Sequence, residues 1–279
     1  MAIEESESDA EQSDGSSGLS HSSDEEISFR NPFHPGTKEF QNGEMVDPST
    51  PRTRFIQNCL KKRLNPRSSY VIRKNLSKKL ELQHHGMGDE VGTLFAESIS
   101  GIPHIHSINL KDNNLTDKSL GPILRELFKI KQLISVNLTK NIMGPVAAKC
   151  LRGFLQHPEC SLEQLILSDS DVDDTECSEF FHALVGNKSL KYLDMSNNLL
   201  GKEENLNTVK PSFETGGEAI ARVLAANQCA LETLLIGWNM IRLDGAIDLG
   251  ASLATNNVLT YLDLSFNSIG IDGGLTIAD

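Results

Sequence analysis

Apolar and polar positions along this 279-residue chain recur on one template, L-x-x-L-x-L-x-x-N-x-L. Six copies begin at Ile105, Leu133, Leu162, Leu190, Leu231 and Leu259. A degenerate seventh begins at Ser77, carried by Leu80, Leu82, His85 and Met87. Successive starts lie 28, 28, 29, 28, 41 and 28 residues apart, so the long interval is one 28-residue period plus an insertion of 13, placed at 202–214. A fixed period of this kind marks a solenoid, a stack of like coils each burying its apolar face against the next.

Within a coil, the alternating L-x-L predicts a short strand with its leucines inward and its x positions outward. Small and apolar stretches after the strands predict helices. Ala246–Asn256, with Asp244-Gly245 as its start signal, is the clearest, and Gly216–Asn227 is another. Strand, turn and helix must fit in 28 residues, so the strands stack in parallel with the helices outside. Helices are wider than strands, so the sheet lines the inside of a horseshoe. The template asparagines Asn113, Asn141, Asn198, Asn239 and Asn267 turn the chain and satisfy neighbouring backbone groups with a two-sided amide. Ser170 and His85 replace this asparagine in two coils, which are expected to be slightly irregular.

Charge divides the chain in three. Residues 1–50 carry 12 acids and 2 bases, residues 51–80 carry 10 bases and no acid, and residues 81–279 carry 26 acids and 14 bases. The first block is poor in core-forming residues and is expected to be a disordered acidic tail. There Ser22 and Ser23 precede Asp24-Glu25-Glu26, as a solvating segment or a phosphorylation site. In residues 51–76, Phe55, Ile56, Cys59 and Leu60 fall on one helical face that Pro66 ends, and Tyr70, Val71 and Ile72 begin a second apolar patch. This basic segment stands where the first coil needs a cap. A nuclear-import patch, a site for an anionic partner, and a surface for the acidic tail are the alternatives. The net charge of −12 argues against nucleic-acid binding, leaving only the bases of Arg52–Lys79 as a third functional reading. The acidic N-terminus does not fit a secretory signal, and no apolar run reaches a membrane span. Five scattered cysteines without a C-x-x-C pair indicate a reduced, intracellular protein, cytoplasmic with nuclear and ciliary sites left open. Cys160 and Cys229 share one slot before a repeat's first leucine and read as buried fillers.

Period and motif together resemble the ribonuclease-inhibitor-like class of leucine-rich-repeat proteins, over residues 77–279 and about seven coils. More narrowly, the cap with LELQHHGMGD and the run WNMIRLDGA look like intracellular repeat proteins of protists. The resemblance implies an α/β leucine-rich-repeat solenoid with a parallel concave sheet and convex helices. It also implies a non-catalytic interaction scaffold without cofactors, whose concave face binds a protein. The alternative is a regulatory or recruitment module of a larger signalling enzyme such as a kinase. The last coil stops inside its helix, so its end is expected to be continued or capped by further sequence or another chain.

Coil by coil, the middle outward position carries Glu81, Asn109, Asn137, Ile166, Asp194, Leu235 and Asp263. The preceding outward position carries Lys79, Ser107, Ser135, Gln164, Tyr192, Thr233 and Tyr261. His84, Asp112, Lys140, Asp169, Asn197, Trp238 and Phe266 stand in the position before the asparagine. Large apolar side chains gather in the last three coils. Trp238, the only tryptophan, should lie about 5 Å from Phe266, with Tyr192, Leu235 and Tyr261 on the same side. These five residues are the candidate partner site, since aromatics bury much area at little entropic cost. The competing reading folds Trp238 over the edge as a local lid. Pro211 and Phe213 of the insertion either extend this surface or belong to a spacer. The stretch Asp169–Glu176 resembles a calcium loop, but Asp174 stands where glycine is required and Phe180 where glutamate is required. No phosphate-binding loop, G-x-S-x-G or H-E-x-x-H occurs. Adjacent His84 and His85 would face opposite sides of a strand, and His104 with His106 lacks a third ligand.

Overall fold

A computed structural model describes residues 40–41, 44–45, 50–65, 78–99, 104–204 and 213–278. The expectations for residues 1–39 of the acidic tail, for Pro66, Tyr70, Val71 and Ile72, and for Pro211 lie outside these residues, although residues 40–41 and 44–45 of that tail form two short strands. Strands β1 (Phe40–Gln41) and β2 (Glu44–Met45) pair antiparallel. Helix α1 (Pro51–Lys61) begins at Thr50, whose hydroxyl caps the Thr53 amide, with Pro51 in the first turn where its missing N–H costs nothing. It packs on α2 (Gly88–Ile99), where the Asn58 amide donates to Glu97 Oε2 at 2.9 Å. Phe55, Ile56 and Cys59 are buried, but Leu60, expected on the same face, is 48% exposed. Helical rotation carries Leu60 past the edge of the contact with α2.

The rest is the repeat. Seven strands, β3 (Lys79–Glu81), β4 (Ser107–Asn109), β5 (Ser135–Asn137), β6 (Gln164–Ile166), β7 (Tyr192–Asp194), β8 (Thr233–Leu235) and β9 (Tyr261–Asp263), form one parallel sheet in sequence order. The register pairs each residue with the one a period away, across the 41-residue interval as well: Tyr192 pairs with Thr233 and Asp194 with Leu235. Helices α3 (Asp117–Leu127), α4 (Pro145–Leu155), α5 (Asp174–Leu184), α6 (Gly216–Ala226), α7 (Leu243–Leu253) and α8 (Gly270–Ala278) stack on the other side. This is an α/β leucine-rich-repeat solenoid with a parallel concave sheet and convex helices. The middle residues Ile108, Val136, Leu165, Leu193 and Leu234 are buried in a continuous core with the helices' inner faces. In the last coil, Leu259, Leu262, Leu264 and Ile269 are only partly buried, because no later coil among the described residues covers them.

The asparagine ladder joins coils directly. The Asn141 amide donates to the carbonyls of Leu110 (3.0 Å) and Leu138 (2.9 Å), and its oxygen accepts from the amides of Asn113 (3.3 Å) and Leu115 (3.0 Å). Asn198, Asn239 and Asn267 repeat the two-coil donation. Ser170 has only a hydroxyl, so the Met143 amide turns to the Ser170 backbone carbonyl at 3.0 Å instead. The strand register around Ser170 stays regular.

A second ladder lies at the helix starts, where a carboxylate from one coil caps the next. Asp89 accepts from the Thr116 amide and from the Thr116 and Ser119 hydroxyls. Asp117 accepts from the amides of Val146 and Ala147, and Asp174 from those of Gly201, Glu203 and Gly216. Helix α7 starts at Leu243, behind Arg242 with no side-chain cap, rather than at the Asp244-Gly245 signal. Glu204 supplies the missing carboxylate, accepting from the Gly245 amide at 2.9 Å.

Candidate functional site

The strand register sets the outward residues in columns across the concave face. Tyr192, Thr233 and Tyr261 share one column at the C-terminal end, and Asp194, Leu235 and Asp263 share the next. Tyr192 and Leu235 are half-buried, while Tyr261 is 58% exposed. Burial first, then the nearby Asp194 and Tyr261, raise the pKa of the Tyr192 phenol.

The column before the asparagines has a feature that periodicity does not reveal. His84, Asp112, Lys140, Asp169, Asn197, Trp238 and Phe266 all have φ between 55° and 60°, the left-handed region. Apart from Phe266 in the last coil, each turns the chain out of its strand so that its amide bonds the next coil, as Trp238 does to the Ser265 carbonyl at 2.8 Å. Asp and Asn tolerate this conformation, but a bulky side chain there is an outlier costing about 1–2 kcal/mol. Trp238 and Phe266 adopt it and remain 57% and 66% exposed. Their rings stack at 3.9 Å between centroids with 17° between planes. Trp238 therefore does not fold over the sheet edge as a lid; its neighbour is Phe266. This leaves Trp238, Tyr261 and Phe266 open at one end of the concave face, beside Tyr192 and Leu235.

Phe213, from the insertion, is exposed on the opposite side of the coil. With Glu214, Arg222 and residues of α6 and α7 it lines an open depression of about 730 Å³ among the convex helices. It does not extend the aromatic patch.

A family model described as "Leucine Rich repeat" matches residues 101–124 and 255–278. Over 164 residues the chain is 27% identical to NACHT, LRR and PYD domains-containing protein 4E of Mus musculus, covering 59% of this chain and 15% of that one. Over 213 residues it is 27% identical to NACHT, LRR and PYD domains-containing protein 14 of Homo sapiens, covering 76% and 18%. Over 171 residues it is 30% identical to the ribonuclease inhibitor of Sus scrofa, covering 61% and 35%. It is a ribonuclease-inhibitor-like leucine-rich-repeat protein. These mammalian relatives do not carry the narrower likeness to protist proteins, and the chain spans well under half the length of each.

Leucine-rich-repeat folds typically mediate protein–protein interaction through their concave face. Repeats of this kind are characteristically non-catalytic, and among the described residues no group of His, Cys, Asp and Glu is arranged to hold a metal. The acids of the calcium-like stretch have other tasks. Asp173 and Glu176 form the capping box of α5, and Asp174 is buried on three backbone amides. His84 Nδ1 lies 2.8 Å from Asp112, and His106 Nδ1 lies 3.0 Å from the His104 carbonyl. Cys59, Cys177 and Cys229 are buried, while Cys160 is half-buried and receives the Ser189 hydroxyl at 3.2 Å. No described helix is long and apolar enough to cross a membrane.

Proposed function

We propose that this chain is an intracellular, non-catalytic interaction scaffold that binds another protein on the C-terminal half of its concave face, through Tyr192, Leu235, Trp238, Tyr261 and Phe266. One observation carries the reading. Two large aromatic residues occupy a left-handed backbone position that His84, Asp112, Lys140, Asp169 and Asn197 fill in the other coils, and both remain exposed. The coil imposes this backbone in every repeat, and a bulky aromatic is among the costlier residues to place there. Exposed aromatics beside half-buried apolar side chains are also the composition of binding hot spots.

The test is affinity capture followed by measured binding of the captured partner. Trp238→Ala and Phe266→Ala should each weaken it by more than about 2 kcal/mol while leaving the fold intact by circular dichroism. Unchanged affinity in both variants places the site elsewhere.

A second reading, a recruitment module within a larger protein, is favoured by coverage. The chain spans 15% of a relative whose name records NACHT and PYD domains besides its repeats. Both readings use the same concave surface. Transcript sequence running into a further domain, such as a kinase, supports the second, and an immediate stop after Asp279 supports the first.

A further inference from the structure

Several acids on the concave face are paired across coils, whereas Glu232 just before β8 and Asp194 and Asp263 inside the aromatic patch have no cationic partner among the described residues. Glu81 accepts from the Asn109 amide at 3.0 Å, Asp112 faces His84, and Glu163 faces Lys191 Nζ at 3.1 Å. Asp169 accepts from the Asn197 amide at 2.9 Å and lies 3.6 Å from Lys140 Nζ. Asp194 and Asp263 instead accept from the backbone amides of Ser196 and Ser265, both at 2.9 Å, and neither has a cationic partner among the described residues. The register sets them on either side of Leu235, roughly 10 Å apart across two strand spacings. Tyr192 and Tyr261 stand on the same two strands, and the Trp238–Phe266 stack flanks them. Gly237 fits this arrangement, since a Cβ there would come within 3.1 Å of the Asp263 carboxylate.

Two carboxylates without countercharge, an apolar floor between them and aromatic faces around them suit one side chain above others. A guanidinium is planar, stacks on aromatic rings and donates to carboxylates through several N–H groups at once, whereas an ammonium is a compact, strongly hydrated point charge. We propose that Asp194 and Asp263 hold an arginine side chain of an extended partner segment, its guanidinium seated over Leu235 against the aromatic patch. This rests on the concave docking reading above and adds the chemistry of what docks. The acidic tail does not fit as the occupant, because residues 1–50 carry 12 acids against 2 bases. Arg67, Arg73 and Lys74 fall in the sequence between α1 and β3. β9 stands six strand spacings from β3, roughly 29 Å, while 12 residues fully extended reach at most about 20 Å out and back.

The experiment titrates the 279-residue protein with fluorescein-labelled hexa-arginine, hexalysine and hexaglutamate at about 0.15 M salt. Anisotropy reads affinity, and emission of Trp238, the only tryptophan, reads location. Hexa-arginine should bind about tenfold more tightly than hexalysine and shift the Trp238 emission. Asp194→Asn with Asp263→Asn should weaken it about tenfold or more, while Glu179→Gln with Asp248→Asn, the same charge change on the helical side, should cost less than about threefold. Equal binding by the Asp194/Asp263 variant, equal loss in the charge-matched control, or equal affinity for hexalysine overturns the proposal. With the captured partner, loss on Trp238→Ala and Phe266→Ala but not on the Asp194/Asp263 change sinks the arginine assignment and leaves the docking reading standing. Retention by the two aromatic variants sinks both.

Discussion

At Trp238 two energies of similar size oppose each other. A left-handed φ of 55° costs a bulky residue about 1–2 kcal/mol, and the stack on Phe266 returns about 0.5–1.5 kcal/mol. Trp238→Asn relieves the first and forfeits the second, so urea unfolding should change by less than about 1 kcal/mol while partner affinity falls by more than about 2 kcal/mol. Loss of stability as large as the loss of affinity would make Trp238 a structural residue. Asn141 is the opposite case. Asn141→Ala leaves two carbonyls and two amides on adjacent coils without their partner, and should cost about 3 kcal/mol or more in the same measurement. Both columns were legible in the sequence, because a constant period assigns every residue a position in the coil. The backbone handedness at Trp238 was not, since hydrophobic patterning does not encode the sign of φ. Nor did it reveal that Asp194 and Asp263 lack cationic partners among the described residues, which depends on side-chain reach across coils.

The strands and helices followed from the 28-residue repeat, and Asp173 and Thr215 cap α5 and α6 locally. The starts of α3, α4, α6 and α7 also take a carboxylate from the coil before. Asp89, Asp117, Asp174 and Glu204 each lie one coil before the amides they cap, so a local capping search misses them. Burial raises the Asp89 pKa, but hydrogen bonds from Ser119 and Thr116 outweigh it and leave the group below its ordinary value. Its stabilisation is therefore present above an unfolded pKa of about 4 and is lost as pH falls through the lower folded value. Glu176 goes the other way. Burial, then Asp173 beside it, pushes it from 4.5 up to about 7. The folded protein then binds more protons than the unfolded chain between those values, so the start of α5 loses stability as pH rises from 4.5 to about 7. Thermal melts across this window should flatten in Glu176→Gln, and an unchanged slope would remove Glu176 as the source. Close packing gives a second test at this scale. A Cβ at Gly217 would meet the Gly245 backbone at 2.9–3.1 Å, so Gly217→Ala should part α6 from α7 and destabilise the chain by about 1–3 kcal/mol.

In a solenoid each coil is held mainly by its two neighbours, so stability runs along the stack as a sum of nearest-neighbour contacts. Leu165, in the middle, is fully buried between coils, whereas its register mate Leu262 in the last coil is only partly covered. Leu165→Ala should therefore cost about 2–5 kcal/mol, and Leu262→Ala distinctly less. The same gradient should appear without mutation. In hydrogen exchange on the 279-residue protein, amides of β9 and α8 should exchange faster than those of β5 and β6, because opening the last coil breaks one interface rather than two. Tyr261, Asp263 and Phe266 all belong to that least-supported coil, while Tyr192, Asp194, Leu235 and Trp238 sit on better-held ones. A ligand bridging the two groups must therefore order β9 against β8. Bound hexa-arginine should slow exchange in β9 and α8 selectively and leave β5 and β6 unchanged. Uniform protection, or none, would mean that the ligand does not span the coils that hold Asp194 and Asp263.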